Sequence, residues 1–433
     1  MTVLLMLFVW CLGAAGAVVD NSTLLPVIED DNRVKLEPAS NGSAASPDWV
    51  KGLILVEASV ASASKDGTVR GMEPVLDHLA EIGVNGIWIT PIQEGRHYGN
   101  YGIHTVSRSL TGADEMPERW KRIKAFVDAA HRRNIRVFFD VVSWGVNRNA
   151  PLYREKPEWF SGPSKPGYNG WNWNWENPEL CEWFSSRLVE WILLTGADGF
   201  RCDCAPRYAG YEPYRTARER LLRMGRKIAL IGEHASSRQG VFDFDQCGFL
   251  PEPGRTRPMG DVFLSKNMVD LIRSGDELGA LDSEEPPGRK RFYSFLFSSH
   301  DSKSYFVQGN PVRFGYPLFL PFLPIWYLGE EWNNAYTRDV PPYWLWANAV
   351  NWKLKGQNQE FFELVKRMIR IRRLHPDIFE YFPDDHRQAA ICKVETDHPE
   401  LLQAYARYRN GKAILIVPNN SGSTTTFRIT VPY

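Results

Sequence analysis

The chain has no excess of either charge: 51 Lys and Arg against 51 Asp and Glu leave a formal net charge of zero. This removes any electrostatic reason to expect a nucleic-acid partner. Cysteine is scarce, with Cys11, Cys181, Cys202, Cys204, Cys247 and Cys392 spread over 433 residues. That density is too low for a disulfide-stapled module, and no pair has zinc-ligand spacing. Neither a glycine-rich phosphate loop nor a credible Ser-His-Asp order is present. No segment looks membrane-spanning except the start, where Val3 through Ala17 is uncharged and closes on Ala15-Gly16-Ala17. Residues 1–17 therefore read as a signal peptide ending in a small-x-small cleavage site, although no Lys or Arg precedes the run. Export to an extracellular or periplasmic location is expected, with an uncleaved anchor as the alternative. After cleavage no stable membrane partner is expected.

Aromatic residues are abundant instead, with 16 Trp, 17 Tyr and 23 Phe making 13% of the chain. Such a content suits ring-lined binding surfaces. Residues 18–48 form an extension without a sustained period and carry no chemistry. From Lys51 onward, short apolar runs alternate with helical patterns. The runs GLILVEASV, VNGIWITPI, IRVFFDVV, ADGFRCD, KIALIGE, FDFDQ, FYSFLFSS and FLPIWYL supply eight strands. The expected fold is α/β, a (β/α)8 TIM barrel over residues 49–383. Residues 384–433 alternate in the manner of a small C-terminal antiparallel β domain. The stretch 145–178 is too long for an ordinary βα loop and reads as an excursion over the barrel mouth. Within it Trp171, Trp173 and Trp175 would share one face of an extended segment, either as a carbohydrate platform or as pins to the barrel.

Three acids end separate strand-like runs: Asp203 in GFRCD, Glu233 in IALIGE and Asp301 in FSSHD. In a barrel the carboxyl ends of strands converge on one mouth, so these acids could surround one bond. Glycosidic cleavage needs a proton donor and a second carboxylate, and the pattern supplies both. Arg201 lies two residues before Asp203, on the same side of the strand, and can keep that carboxylate ionised.

These runs resemble the α-amylase clan, glycoside hydrolase family 13, over roughly residues 50 to 433. The resemblance implies Asp203 as nucleophile, Glu233 as acid and base, and Asp301 as the residue that holds the sugar hydroxyls. It implies sugar contacts for His300 and for a stacking ring at Tyr101, with Tyr98 the competing choice. Trp144, Arg207, Glu330 and Trp332 are further candidates for substrate contact. The departures are equally specific. Where the clan carries Asn-His beyond its third strand, Trp144 and Gly145 stand here. The loss of a hard oxygen ligand lowers the expectation of a structural calcium, and no metal ligand is assigned. Pro206 and Arg207 replace the Lys-His typical of endo-acting α-amylases. The implied function is retaining hydrolysis of α-glucosidic bonds in malto-oligosaccharide or related α-glucan, with no cofactor required. Transglycosylation is the alternative, followed by a carbohydrate-binding protein with impaired catalysis.

Overall fold

A computed structural model describes residues 46–164, 169–204, 208–233, 241–246, 294–302, 306–334, 348–380, 391–398, 404–419 and 426–430. The two N-terminal segments, residues 1–17 and most of 18–48, lie outside these residues. Eight parallel strands follow the eight runs read from the sequence. They are β1 (Leu55–Ala58), β2 (Gly86–Ile89), β3 (Arg136–Val142), β4 (Gly199–Asp203), β5 (Ala229–Gly232), β6 (Phe244–Asp245), β7 (Ser294–Leu296) and β8 (Leu323–Tyr327). They hydrogen-bond in the order 6-5-4-3-2-1-8-7, the cyclic order of a (β/α)8 barrel. Their side chains are almost continuously buried, because helices cover one face and the barrel interior the other.

The helices are set by local signals. Helix α1 (Glu73–Ile82) begins with proline in its first turn and ends on Gly83 in the left-handed conformation. After α2 (Met116–His131), the next long helix starts at Asn177-Pro178-Glu179. The Asn177 side chain accepts from the backbone N–H groups of Glu179 and Leu180 and caps α3 (Pro178–Thr195). Helices α4 (Glu212–Arg223), α5 (Pro311–Leu318) and α6 (Gln359–Leu374) continue the outer layer. One hydrophobic cluster runs through barrel and helices.

The 145–178 excursion carries a three-stranded antiparallel sheet of Gly145–Asn147, Gly170–Trp173 and Phe160–Pro163. Its tryptophans each engage other rings of the protein. Trp173 is buried against Phe160 and Phe184, and Trp175 meets Phe184 edge-on, so both fasten the excursion to α3. Trp171 instead stacks on Tyr153 with ring centroids 4.1 Å apart.

Beyond the barrel, β9 (Ile391–Lys393), β10 (Tyr405–Arg409) and β11 (Lys412–Ile416) form a small antiparallel sheet. It is tied to the barrel by buried polar contacts. Arg407 donates to the carbonyls of Phe319 and Ile378, and Tyr405 donates to that of Tyr316. Among the described residues no helix is long and apolar enough to cross a membrane.

Candidate active site

Strand register decides which residues meet. Arg201 on β4 lies beside Asp140 on β3 and Ile231 on β5, which brings Glu233, just past the end of β5, level with Asp203. The close fit of β4 on β5 depends on Gly199, where an added Cβ would fall 1.8 Å from the Ala229 carbonyl oxygen. Because side chains alternate along a strand, Arg201 and Asp203 share the interior side while Cys202 packs away from it.

Arg201 is fully buried and organises the centre. Its Nη1 donates to both Asp140 oxygens at 3.1 Å and to Asp203 Oδ1 at 2.8 Å, and its Nε donates to Gln246 Oε1 at 2.6 Å. Its Nη2 forms an ion pair with Glu233 Oε2 at 2.9 Å. The guanidinium also lies over the Trp88 ring, 4.8 Å from its centroid. Glu233 Oε2 accepts from the backbone N–H of Cys204 at 2.6 Å. Cys204 takes up a left-handed backbone with φ of 44°, an unfavourable conformation for a residue with a Cβ. The consequence is a pair of carboxylates, 5% and 8% exposed, each offering an oxygen within 4.8 Å of the other. Asp203 Oδ2 has no hydrogen-bond partner among the described residues.

The electrostatics follow from burial. Desolvation, then the adjacent charge of Glu233, push the Asp203 carboxyl well above the ordinary carboxylate range, against the opposing pull of Arg201. Placing a proton on Glu233 removes the second of these causes, so the pair favours one shared proton. Asp203, Glu233 and the Cys204 thiol also have ligand atoms near enough for one metal ion, but the Arg201 cation already compensates the two carboxylates. At Trp144, the position bearing on calcium, an indole packs against Gly170 of the excursion and supplies no oxygen ligand from its side chain.

His300 and Tyr98 complete the mouth. The rings stack at 4.6 Å with 22° between planes, and the Tyr98 hydroxyl donates to Asp140 Oδ2 at 2.8 Å. Asp301 is 65% exposed and joins the group through His300, with its Oδ2 3.4 Å from Nε2. Tyr101 stands apart from that cluster in a cleft of about 770 Å³, with Glu94, Arg108, Asn147 and Asn149. Arg207 lies outside the described residues.

Glu330 and Trp332 require correction as ligand-facing residues. Both are fully buried, since the turn after β8 folds inward rather than over the mouth. Glu330 accepts from Ser298 Oγ and the Val307 N–H, tying together the two ends of the loop that carries His300 and Asp301. Trp332 packs edge-on to His78 and against Trp352. Sequence reasoning also missed Glu57, a fully buried acid on β1 bonded to His300. The available signal was a carboxylate inside the apolar run GLILVEASV, which burial obliges to find a partner.

Fold and site together define a (β/α)8 barrel with paired acids at the carboxyl ends of its fourth and fifth strands. No family model matches the chain. It is 25% identical over 334 residues to an alpha-amylase of Haloarcula japonica, covering 68% of this chain and 46% of that protein. A neopullulanase 2 of Thermoactinomyces vulgaris is 22% identical, with 84% of this chain and 64% of the relative covered. The chain thus spans about half to two thirds of the length of these curated relatives. An alpha-amylase structure from Geobacillus thermoleovorans superposes with a TM-score of 0.65 at 17% identity, covering 86% of this chain and 87% of that one. The chain resembles the α-amylase clan, glycoside hydrolase family 13, in both its sequence relatives and its fold.

Proposed function

We propose that the protein is a retaining glycoside hydrolase acting on α-glucosidic bonds of malto-oligosaccharide or a related α-glucan. The observation that carries this reading is the buried Asp203 and Glu233 pair, with oxygens within 4.8 Å and Asp203 Oδ2 free of hydrogen bonds among the described residues. Retention calls for carboxyl groups about 5–5.5 Å apart, one as nucleophile and one as acid. In this reading Asp203 Oδ2 attacks the anomeric carbon while protonated Glu233 gives its proton to the departing glycosidic oxygen. The glycosyl ester on Asp203 is then hydrolysed by water, whose proton returns to Glu233. Arg201 stabilises the ionised Asp203, and His300 with Asp301 binds sugar hydroxyls at the mouth.

No cofactor is required for these steps, because side chains supply both the proton and the nucleophile. EGTA is expected to leave turnover unchanged. The apolar run Val3–Ala17 supports an exported enzyme whose first seventeen residues are removed. The deciding experiment compares the wild type with Glu233→Gln on linear and branched α-glucans, resolving products by length and linkage. Shorter reducing products from the wild type alone support hydrolysis. Longer or relinked chains would replace hydrolysis by transfer, and glucan binding without turnover would replace it by a binding function.

A further inference from the structure

Glu57 sits in the middle of a strand whose four side chains are all buried, level with Trp88 on β2 and Tyr327 on β8. Its carboxylate is turned toward a residue 243 positions away. Oε1 lies 2.5 Å from His300 Nδ1, and Oε2 accepts the His300 backbone N–H at 3.1 Å. The proton on Nδ1 is fixed by a second contact. The Tyr98 oxygen lies 3.2 Å from Nδ1, and the tyrosine's single proton is donated to Asp140. Nδ1 therefore meets two acceptors and must itself donate. On the other side of the ring, Nε2 faces the carboxylate of Asp301. A histidine with a carboxylate at each nitrogen is held in its doubly protonated form.

We propose that Glu57 is a positioning residue that locks His300 as an imidazolium and presents its Nε2–H at the barrel mouth to a hydroxyl oxygen of the bound sugar. The inference rests on the glycoside hydrolase reading for the identity of that acceptor. The packing fixes direction as well as charge. Tyr98 covers one face of the ring and Trp88 approaches at 87°, so the imidazole has no room to flip without losing Glu57. The charged groups around the ring are Glu57 from β1, Asp140 from β3, Arg201 from β4 and its own neighbour Asp301. Burial pulls the His300 pKa down, but the charge and hydrogen bond of Glu57, helped by Asp301, outweigh it and Arg201's repulsion and raise the value to about 9.

The test is Glu57→Gln, which keeps the shape and removes the charge. Protein labelled at histidine Cε1 reports each ring's protonation by NMR, with the His300 signal assigned by its loss in His300→Ala. The wild-type ring is expected to stay doubly protonated up to about pH 9, and the Glu57→Gln ring to titrate near or below its ordinary 6.5. KM for malto-oligosaccharide in Glu57→Gln should rise about tenfold as pH passes from about 5.5 to 7.5, through the lowered His300 titration, while the wild type stays flat over that range. A role confined to structure would give a loss independent of pH. If Glu57→Gln does not fold, Glu57→Asp, which keeps the charge, should retain the wild-type titration. A singly protonated His300 in the neutral wild type, or unchanged titration in a folded Glu57→Gln, overturns the proposal. A wild type that turns over no α-glucan overturns the hydrolase reading separately, and the titration still decides whether Glu57 holds the imidazolium.

Discussion

Asp203 and Glu233 are held by a single guanidinium: Arg201 places Nη1 2.8 Å from the first and Nη2 2.9 Å from the second. With no solvent at Arg201 itself, neither carboxylate can be reoriented without disturbing the other. Arg201→Lys keeps one charge but cannot reach Asp140, Asp203, Glu233 and Gln246 together. kcat/KM should fall about 10²-fold or more, as expected when a preorganised charged donor is lost. Since Arg201 lowers the Asp203 pKa, weakening it raises that pKa further. The acid limb of the rate profile should therefore move to higher pH, which steady-state kinetics across pH would read directly.

Glu233→Gln removes the proton donor but preserves the acceptor for the Cys204 N–H. Turnover of a substrate with a poor leaving group should fall about 10²–10⁴-fold, and that of an activated aryl glycoside much less. The alkaline limb should also disappear, because that limb records loss of the Glu233 proton. A variant with equal losses on both substrates would remove Glu233 from the acid role.

How far the sequence reaches is clear from particular residues. Alternation within GFRCD put Arg201 and Asp203 on one side of a strand, and both lie there. The eight apolar runs gave eight barrel strands, because buried parallel strands leave a dense local signature. Glu57 was missed because its partner is 243 residues distant, and no local pattern names such a partner. Glu330 and Trp332 were misplaced for a related reason. A Gly-Glu-Glu-Trp turn reads the same whether its side chains face the mouth or the interior, and only packing against His78 and Ser298 decides.

Glu330 also carries a prediction about stability. Burial raises its pKa from 4.5 to about 7, with the Ser298 and Val307 hydrogen bonds opposing the shift. A carboxyl whose pKa is raised on folding contributes stability below its unfolded pKa and loses it as pH rises through the folded value. Between pH 4.5 and 7 that loss amounts to about 3 kcal/mol at most. Glu330→Gln can still accept from Val307 and can donate to Ser298, yet cannot ionise. Its Tm relative to the wild type should therefore rise as pH passes from about 5 to 8, as thermal melts would show.

The excursion is fastened to α3 by buried rings, beside a more exposed Lys156–Glu179 ion pair. Trp173 is 3% exposed and contacts Phe160, Trp175, Trp183 and Phe184. Trp171 makes its stack with Tyr153 on the excursion itself. Truncating a buried tryptophan to alanine costs about 3–5 kcal/mol, through lost transfer energy and the cavity left behind. In Trp173→Ala that loss falls on the contact between excursion and α3, leaving the β3–β4–β5 register and the Arg201 network in place. Limited proteolysis should then cut first within 145–178, well before the barrel yields, whereas Trp171→Ala should leave the cleavage pattern close to the wild type. Equal protection in both variants would mean that Trp173 is not what fastens the excursion to the barrel.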